Sequence, residues 1–212
     1  MPSTTPPPRF ARTISAEEMA ALPIRRYEGE VHVVASPAAL EHALADIRAE
    51  RVLGFDTETR PVFRKGESHP PSLAQLATAR AVYLLALQRL DCSAALGEIL
   101  AAHAIVKIGV GLAEDMRQLK LFFAAGEGSN PASFLDAGAL ARRHGVKQTG
   151  LRNLAGIFLG FRVPKGKRTS NWAAVRLSPA QIAYAATDAW VCRELFLCYA
   201  RLGLLGAQPV LR

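Results

Sequence analysis

Short apolar runs recur along the chain and alternate with longer stretches whose apolar positions return every three or four residues. A short run bounded by turn residues is typical of a buried strand, and the longer spacing is typical of an amphipathic helix. The runs predict strands at residues 31–35, 52–58, 72–78, 81–87, 105–110 and 134–137. The third and fourth of these are close enough in sequence to pair, which predicts a meander.

Two serines mark the starts of the most clearly predicted helices. Ser36 and Ser178 each precede a proline, and Gln181 completes a capping box after Ser178. The predicted helices cover residues 37–50, 92–102, 112–124, 151–159 and 178–199, and a further helix follows the last strand to about residue 143. Strands that first form a meander and then alternate with helices predict an α/β fold with a mixed central sheet flanked by helices.

Length and composition favour a single folded domain. The chain has 212 residues, half of them apolar, which is enough for one substantial core. We expect residues 26–212 to form that domain and residues 1–25, which begin with a proline-rich stretch, to be a disordered tail. Arg9 and Arg12, in a stretch without acids, also leave an organellar targeting role open for this tail.

The sequence favours none of the membrane, disulfide-rich or zinc-binding classes. Its uninterrupted apolar stretches fall well short of the roughly 18 residues that a membrane-spanning helix needs. Cys92, Cys192 and Cys198 are odd in number and lack CxxC spacing, and the five histidines show no ligand-like pairing. These features predict a soluble protein of the reducing cytoplasm.

The net charge of +8 is concentrated in one segment. Between Asp136 and Asp188 there is no acid, and nine of the 26 Lys and Arg residues lie there. They are Arg142, Arg143, Lys147, Arg152, Arg162, Lys165, Lys167, Arg168 and Arg176. The remaining 17 bases face 18 acids, so this segment carries the whole excess. A one-sided basic surface suits a polyanion such as nucleic acid, although a basic run alone can also be a solvated surface.

Four acidic residues are predicted to point toward the core. Asp56 and Glu58 lie two residues apart at the end of the 52–58 strand, so their side chains share one face. Asp115 falls on the apolar stripe of its predicted helix, and the neighbours of Asp188 one turn away are largely apolar. A single inward carboxylate usually finds an arginine, a helix cap or a backbone donor, but four together, with no base in the same stripes, indicate bound cations.

Two divalent cations would neutralise these four carboxylates. Oxygen-only ligands select hard ions, so Mg²⁺ or Mn²⁺ is predicted. Such a pair supports phosphodiester hydrolysis by activating a water and stabilising the leaving oxygen. Tyr184 lies one helical turn before Asp188, where its hydroxyl can orient that water. Taken alone, this residue is better explained as a packed tyrosine with a satisfied hydroxyl.

The ordered motifs resemble those of the DEDD superfamily of 3'-to-5' exonucleases, in its tyrosine subgroup, which includes ribonuclease D and the Werner-syndrome exonuclease domain. FDTET resembles the first exonuclease motif, IVKIGVGLAEDMRQL the second and YAATDAW the third. The resemblance implies an RNase-H-like fold, four ligands for two metal ions and a tyrosine that positions the attacking water. The ligands are Asp56, Glu58, Asp115 and Asp188, and the tyrosine is Tyr184.

The same resemblance places the basic loop before the SNW motif near the active cleft and implies single-stranded 3' ends of DNA or RNA as partners. The implied phosphate contacts are Lys165, Lys167 and Arg168, with Arg64 and Lys65 after the first motif. Trp172 is expected either to stack on a base or to be a buried anchor. Two alternatives stay open: a non-catalytic nucleic-acid-binding or interaction module on the same fold, and an endonuclease with the same metal chemistry.

Overall fold

The described residues contain one six-stranded mixed sheet at the centre of the molecule. The computed structural model describes residues 10–62, 64, 67–123, 131–166 and 170–206. The strands are β1 Glu30–Val34, β2 Val52–Glu58, β3 Leu73–Ala77, β4 Ala81–Ala86, β5 Val106–Gly109 and β6 Phe134–Asp136. Their order is β1-β4-β3-β2-β5-β6, with β3 antiparallel to both neighbours and the other pairs parallel. The predicted mixed sheet, with its meander through β2, β3 and β4, is confirmed.

Helices cover both faces of this sheet. They are α1 Ala16–Ala21, α2 Pro37–Ala49, α3 Ser93–Ala101, α4 Leu112–Phe122, α5 Ala137–Arg143, α6 Leu151–Leu154 and α7 Pro179–Arg201. Ser36 caps α2, and Ser178 with Gln181 forms the predicted capping box of α7. α6 continues as a π-helical segment, Ala155–Leu159. The predicted 151–159 helix is therefore present, but it is α-helical only over its first four residues. Among the described helices, none is both long and apolar enough to cross a membrane.

The two faces of the sheet pack against different helices. On one face, Phe55 of β2 joins residues of α2, α3 and α4 in an apolar cluster. On the other face, Val52 of β2 packs with residues of α5, α6 and α7. Because side chains alternate along a strand, Asp56 and Glu58 belong to the α7 face, whereas Thr57 belongs to the α4 face.

α7 lies directly against β2, and Gly54 permits this contact. A Cβ at position 54 would overlap the carbonyl oxygen of Ala189 and lie 2.9 Å from the backbone nitrogen of Arg193. Any side chain there would push the helix away from the strand. The close approach therefore sets where Asp188 of α7 lies relative to the end of β2.

The N-terminal segment is more ordered than its composition predicts. Residues 1–9 lie outside the described part of the chain, but residues 10–25 pack on the domain. The rings of Phe10 and Phe158 lie 5.0 Å apart, and the backbone nitrogen of Ile14 donates to Gln148 at 2.7 Å. α1 begins with a complete capping box at Ser15. The predicted disordered tail is therefore wrong for residues 10–25, because distant parts of the chain hold them in place.

Candidate active site

Three carboxylates meet at the end of β2, beside α7. Asp56 and Glu58 come from the strand, and Asp188 comes from the helix. One carboxylate oxygen of each residue lies within 4.8 Å of the oxygens of the other two. Asp188 is only 7% exposed, and the other two are partly buried. The structure thus brings together three of the four acids singled out from the sequence, and we call them the acid cluster.

Burial and neighbouring negative charges shift the protonation of Asp56 in the acid cluster. Burial raises the pKa of Asp56 well above its ordinary value, and the charges of neighbouring acids, Asp115 foremost, raise it further. A hydrogen bond from the backbone of Thr57 lowers the pKa of Asp56 without cancelling the rise. Carboxylates this close stay ionised together only when a cation offsets their repulsion. The geometry therefore favours a bound cation.

Asp115 stands beside the acid cluster. It approaches on α4, from the face of the sheet opposite to α7, and its carboxylate accepts a hydrogen bond of 2.5 Å from the hydroxyl of Thr57. Burial raises the pKa of Asp115, while hydrogen bonds from the side chain and backbone of Thr57 lower it. The charge of Asp115 still raises the pKa of Asp56, so it is within electrostatic reach of the cluster. The adjacent Glu114 points away and pairs with Arg117.

Asp136 is a supporting residue that the sequence motifs do not indicate. Its Oδ1 caps α5 by accepting from the backbone nitrogen of Ala139 at 2.7 Å. Its Oδ2 accepts from the backbone nitrogens of Gly111 and Leu112 at 2.9 and 3.0 Å. Since α4 has no side-chain cap of its own, Asp136 satisfies its first donors and fixes the helix that carries Asp115. The signal available in the sequence was an acid near the end of a predicted strand that leads directly into a predicted helix.

Tyr184 lies one helical turn before Asp188 and faces the acid cluster. Burial, the negative charges of Asp188 and Glu58, and a hydrogen bond to Asp188 raise the pKa of Tyr184 far above that of a free tyrosine. Its side chain therefore stays a neutral phenol. Two contacts hold its ring: the ring centroid of Trp172 lies 6.0 Å away, and a Cβ at Gly166 would overlap the tyrosine ring.

The donor set of the acid cluster fits a hard divalent cation. Asp56, Glu58 and Asp188 offer only carboxylate oxygens, and the 4.8 Å limit on their separations is close to the roughly 4 Å between opposite ligands of a Mg²⁺ ion. Within the described residues, no histidine or cysteine joins this group. Burial raises the pKa of the Cys192 thiol well above its usual range, which disfavours a thiolate ligand nearby.

Comparison with known proteins identifies the family. The family model described as 3'-5' exonuclease matches residues 31–198, which include the acid cluster and Tyr184. The chain belongs to the 3'-5' exonuclease family. It is 31% identical over 207 residues to human exonuclease 3'-5' domain-containing protein 2, covering 91% of this chain and 32% of that protein. It is 34% identical over 160 residues to ribonuclease D of Acidiphilium cryptum, covering 73% and 38%. The resemblance to 3'-5' exonucleases drawn from the motifs is confirmed at the level of the family.

Solved structures share the fold of this exonuclease domain. The EXO domain of Aedes aegypti Nibbler matches with a TM-score of 0.75 at 24% identity, covering 86% of this chain and 92% of that one. Escherichia coli RNase D matches with a TM-score of 0.67 at 24% identity, covering 82% and 44%. The RNase-H-like fold is therefore confirmed. The chain spans about a quarter to a third of the length of the first curated relatives that it matches.

Some of the predicted nucleic-acid contacts of the exonuclease domain can be placed. Lys165 is exposed and lines a pocket of about 170 Å³ that reaches Tyr184 and Asp188. Arg26 lines the same pocket, although no pattern in the sequence singled it out. Arg64 is exposed. Lys65, Lys167 and Arg168 lie outside the described residues.

Trp172 is a buried anchor. Its side chain is 2% exposed and belongs to an apolar cluster with Leu73, Leu84 and Ala185. Of the two roles expected from the sequence, the nucleic-acid contact is wrong, because the buried ring has no face left for a base to stack on. Its contact with Tyr184 gives the ring a different role, which is to support the tyrosine.

Proposed function

We propose that this chain is a metal-dependent 3'-5' exonuclease that hydrolyses phosphodiester bonds at the 3' ends of single-stranded DNA or RNA and releases nucleoside 5'-monophosphates. The observation that carries this proposal is the meeting of the acid cluster and the phenol of Tyr184 at one end of the sheet. Membership of the 3'-5' exonuclease family supports the class of reaction. Because the chain spans only part of its relatives, the proposal concerns this domain.

The acidic residues would hold the cations. The proposed ligands are Asp56, Glu58 and Asp188, with Asp115 from the opposite face. Two ions, Mg²⁺ or Mn²⁺, supply when bound the activation of a water and the stabilisation of the leaving oxygen in an in-line displacement. Without cations, the same carboxylates repel a phosphodiester, so binding of the 3' end at the acid cluster should require metal.

Tyr184 has the surroundings needed to orient the attacking water. As a neutral phenol it donates to Asp188 and keeps oxygen lone pairs free to accept from a water. Trp172 and Gly166 restrict its ring, so a water held by the hydroxyl would keep a fixed position. On this basis we assign the chain to the tyrosine subgroup of the DEDD exonucleases.

Basic side chains beside the acid cluster support a nucleic-acid substrate. Arg26 and Lys165 line one pocket next to the cluster, where cations would contact phosphates that flank the scissile bond. A β-bridge between Ile24 and Arg162 holds the segment of Arg26 beside the loop of Lys165. The names of two relatives, ribonuclease D and DNA polymerase I, support testing both RNA and DNA.

The test follows 5'-labelled single-stranded RNA, single-stranded DNA and recessed duplex DNA over time with Mg²⁺, Mn²⁺ or EDTA. Asp188→Asn removes one charge of the acid cluster and keeps the side-chain size. Asp91→Asn makes the same change at an exposed residue that accepts hydrogen bonds from Ser93. We expect a metal-dependent ladder that shortens from the 3' end, normal in Asp91→Asn and roughly a thousandfold slower in Asp188→Asn.

Three other results would change the conclusion. Near-normal turnover by Asp188→Asn would remove that residue from the ligand set. Nucleic-acid binding that EDTA does not alter, with no product, would identify a non-catalytic binding module. Cleavage of circular single-stranded DNA would identify an endonuclease.

A further inference from the structure

Gln75, on β3, is a fully buried residue whose amide has no hydrogen-bond partner among the described residues. It is 0% exposed, and neither Nε2 nor Oε1 is paired. A carboxamide offers two donors and an acceptor, and leaving these unmet in an interior is less favourable than an apolar side chain of equal size. Folding alone therefore does not explain a glutamine at this position.

The register of the sheet places Gln75 beside the acid cluster. Gln75 lies directly opposite Asp56 of β2 on one side and Leu84 of β4 on the other. Directly opposed residues of an antiparallel pair project from the same face, with Cβ atoms about 4.5–5.5 Å apart. The neighbours of Gln75 on this face of β3, Leu73 and Ala77, are apolar. Of its two cross-strand partners, Asp56 is thus the polar one.

The amide of Gln75 can approach Asp56 by rotation of its side chain. The amide nitrogen lies beyond Cγ and Cδ, a length comparable to the gap between the two strands, and staggered rotamers redirect it without backbone movement. A carboxylate that binds a metal through one oxygen keeps the other for a hydrogen bond. Residues that donate a hydrogen bond to this second oxygen orient the metal ligand and raise the affinity of the site for the metal.

We propose that Gln75 is a positioning residue for Asp56: its Nε2 donates a hydrogen bond to the Asp56 carboxylate and fixes that carboxylate as a metal ligand. The unpaired buried amide and the antiparallel register carry this inference. It rests on the proposed function, because the hydrogen bond is needed when the acid cluster holds cations. With this hydrogen bond, the buried amide has a partner in the working site.

Gln75→Met tests the proposal, because methionine has the length and shape of glutamine without its donors. Gln88→Met makes the same change at an exposed residue whose Nε2 donates to Ser72 at 3.0 Å. Two quantities are measured: the Tm without metal, and the Mn²⁺ dissociation constant by calorimetry without nucleic acid. We expect Gln75→Met to keep or raise the Tm yet bind Mn²⁺ at least about tenfold more weakly, while Gln88→Met binds it like the wild type.

A raised Tm with an unchanged Mn²⁺ dissociation constant in Gln75→Met would overturn the proposal. A lowered Tm with an unchanged dissociation constant would overturn it as well, and would indicate that a buried water satisfies the amide, as a water could also do for the equally unpaired indole nitrogen of Trp172. If Gln75→Met does not fold, Gln75→Leu repeats the test, and failure of both would assign the glutamine to folding and overturn the positioning role. Failure of the proposed function looks different: neither the wild type nor Gln88→Met would bind Mn²⁺ or cleave nucleic acid.

Discussion

At the scale of single residues, the candidate site depends on its acidic residues and also on the side chains that orient their carboxylates. Thr57 lies between Asp56 and Glu58 in sequence, but it points to the opposite face of the sheet and donates to Asp115. One strand thereby supplies two carboxylates on one side and holds a third on the other. A hydrogen bond to a carboxylate favours its ionised form, which is the form that binds metal.

Thr57→Val should weaken the site, because it removes this hydrogen bond with little change of shape. We expect the free energy of unfolding to fall by about 1 kcal/mol and hydrolysis to slow about tenfold. Thr57→Ser keeps the hydroxyl and should behave like the wild type. Denaturant unfolding and steady-state rates in Mn²⁺ check both effects. Equal rates for the valine and serine variants would show that the hydroxyl does not position Asp115.

The acids were predictable from the sequence, whereas their partners were not. Alternation along a strand puts Asp56 and Glu58 on one face, and helical spacing puts Asp115 on an inward stripe. Which residues stand opposite them depends on how strands and helices align with one another. The local patterns of the sequence do not encode that alignment. Only the structure shows that Thr57 donates to Asp115 and that Gln75 lies opposite Asp56 in the strand register.

At the scale of elements, the site exists because α7 crosses β2 at close range. The start of α7 was predictable because Ser178, Pro179 and Gln181 form a local capping signal. How closely α7 packs against β2 was not predictable. That distance depends on Gly54, and a glycine inside a strand is equally typical of a bulge. α1 was missed for a similar reason: the contacts that hold its segment lie far away in the chain.

Gly54→Ala should separate α7 from β2. The new methyl group would meet the backbone of α7, so we expect the free energy of unfolding to fall by about 1–3 kcal/mol. Since Asp188 would move with the helix, Mn²⁺ affinity should fall as well. Gly150→Ala is the matched control, because a Cβ at Gly150 has no neighbour within 4 Å. Urea unfolding and calorimetric Mn²⁺ titration measure the two effects, and a Gly54→Ala protein as stable as the control would contradict this account of the packing.

At the scale of the whole molecule, the buried lysine Lys107 couples stability to pH. Lys107 is 0% exposed and lies in the core on β5. Its Nζ donates to the carbonyl oxygen of Ala102 at 2.8 Å, at the end of α3, and lies 5.2 Å from the ring centroid of Phe134. Burial lowers the pKa of Lys107 to about 8, because the ammonium loses water that these contacts only partly replace.

The pKa of Lys107 predicts the direction of the pH dependence. Below about pH 8 the side chain is charged in both the folded and the unfolded chain, so folding bears the full cost of burying the charge. Between about pH 8 and the unfolded value of roughly 10.4, only the unfolded chain binds the proton. The free energy of unfolding should therefore rise with pH across this window, by at most about 3 kcal/mol.

Lys107→Met separates this contribution from other groups that titrate in the same window. The stability of the variant relative to the wild type should be highest near pH 7 and fall as the pH approaches 10, because only the wild type gains stability from losing the proton. Lys120→Met, at an exposed position of α4, should follow the wild type at every pH. Urea unfolding at several pH values measures the difference. Parallel curves for Lys107→Met and the wild type would mean that the buried ammonium is solvated well enough to keep an ordinary pKa.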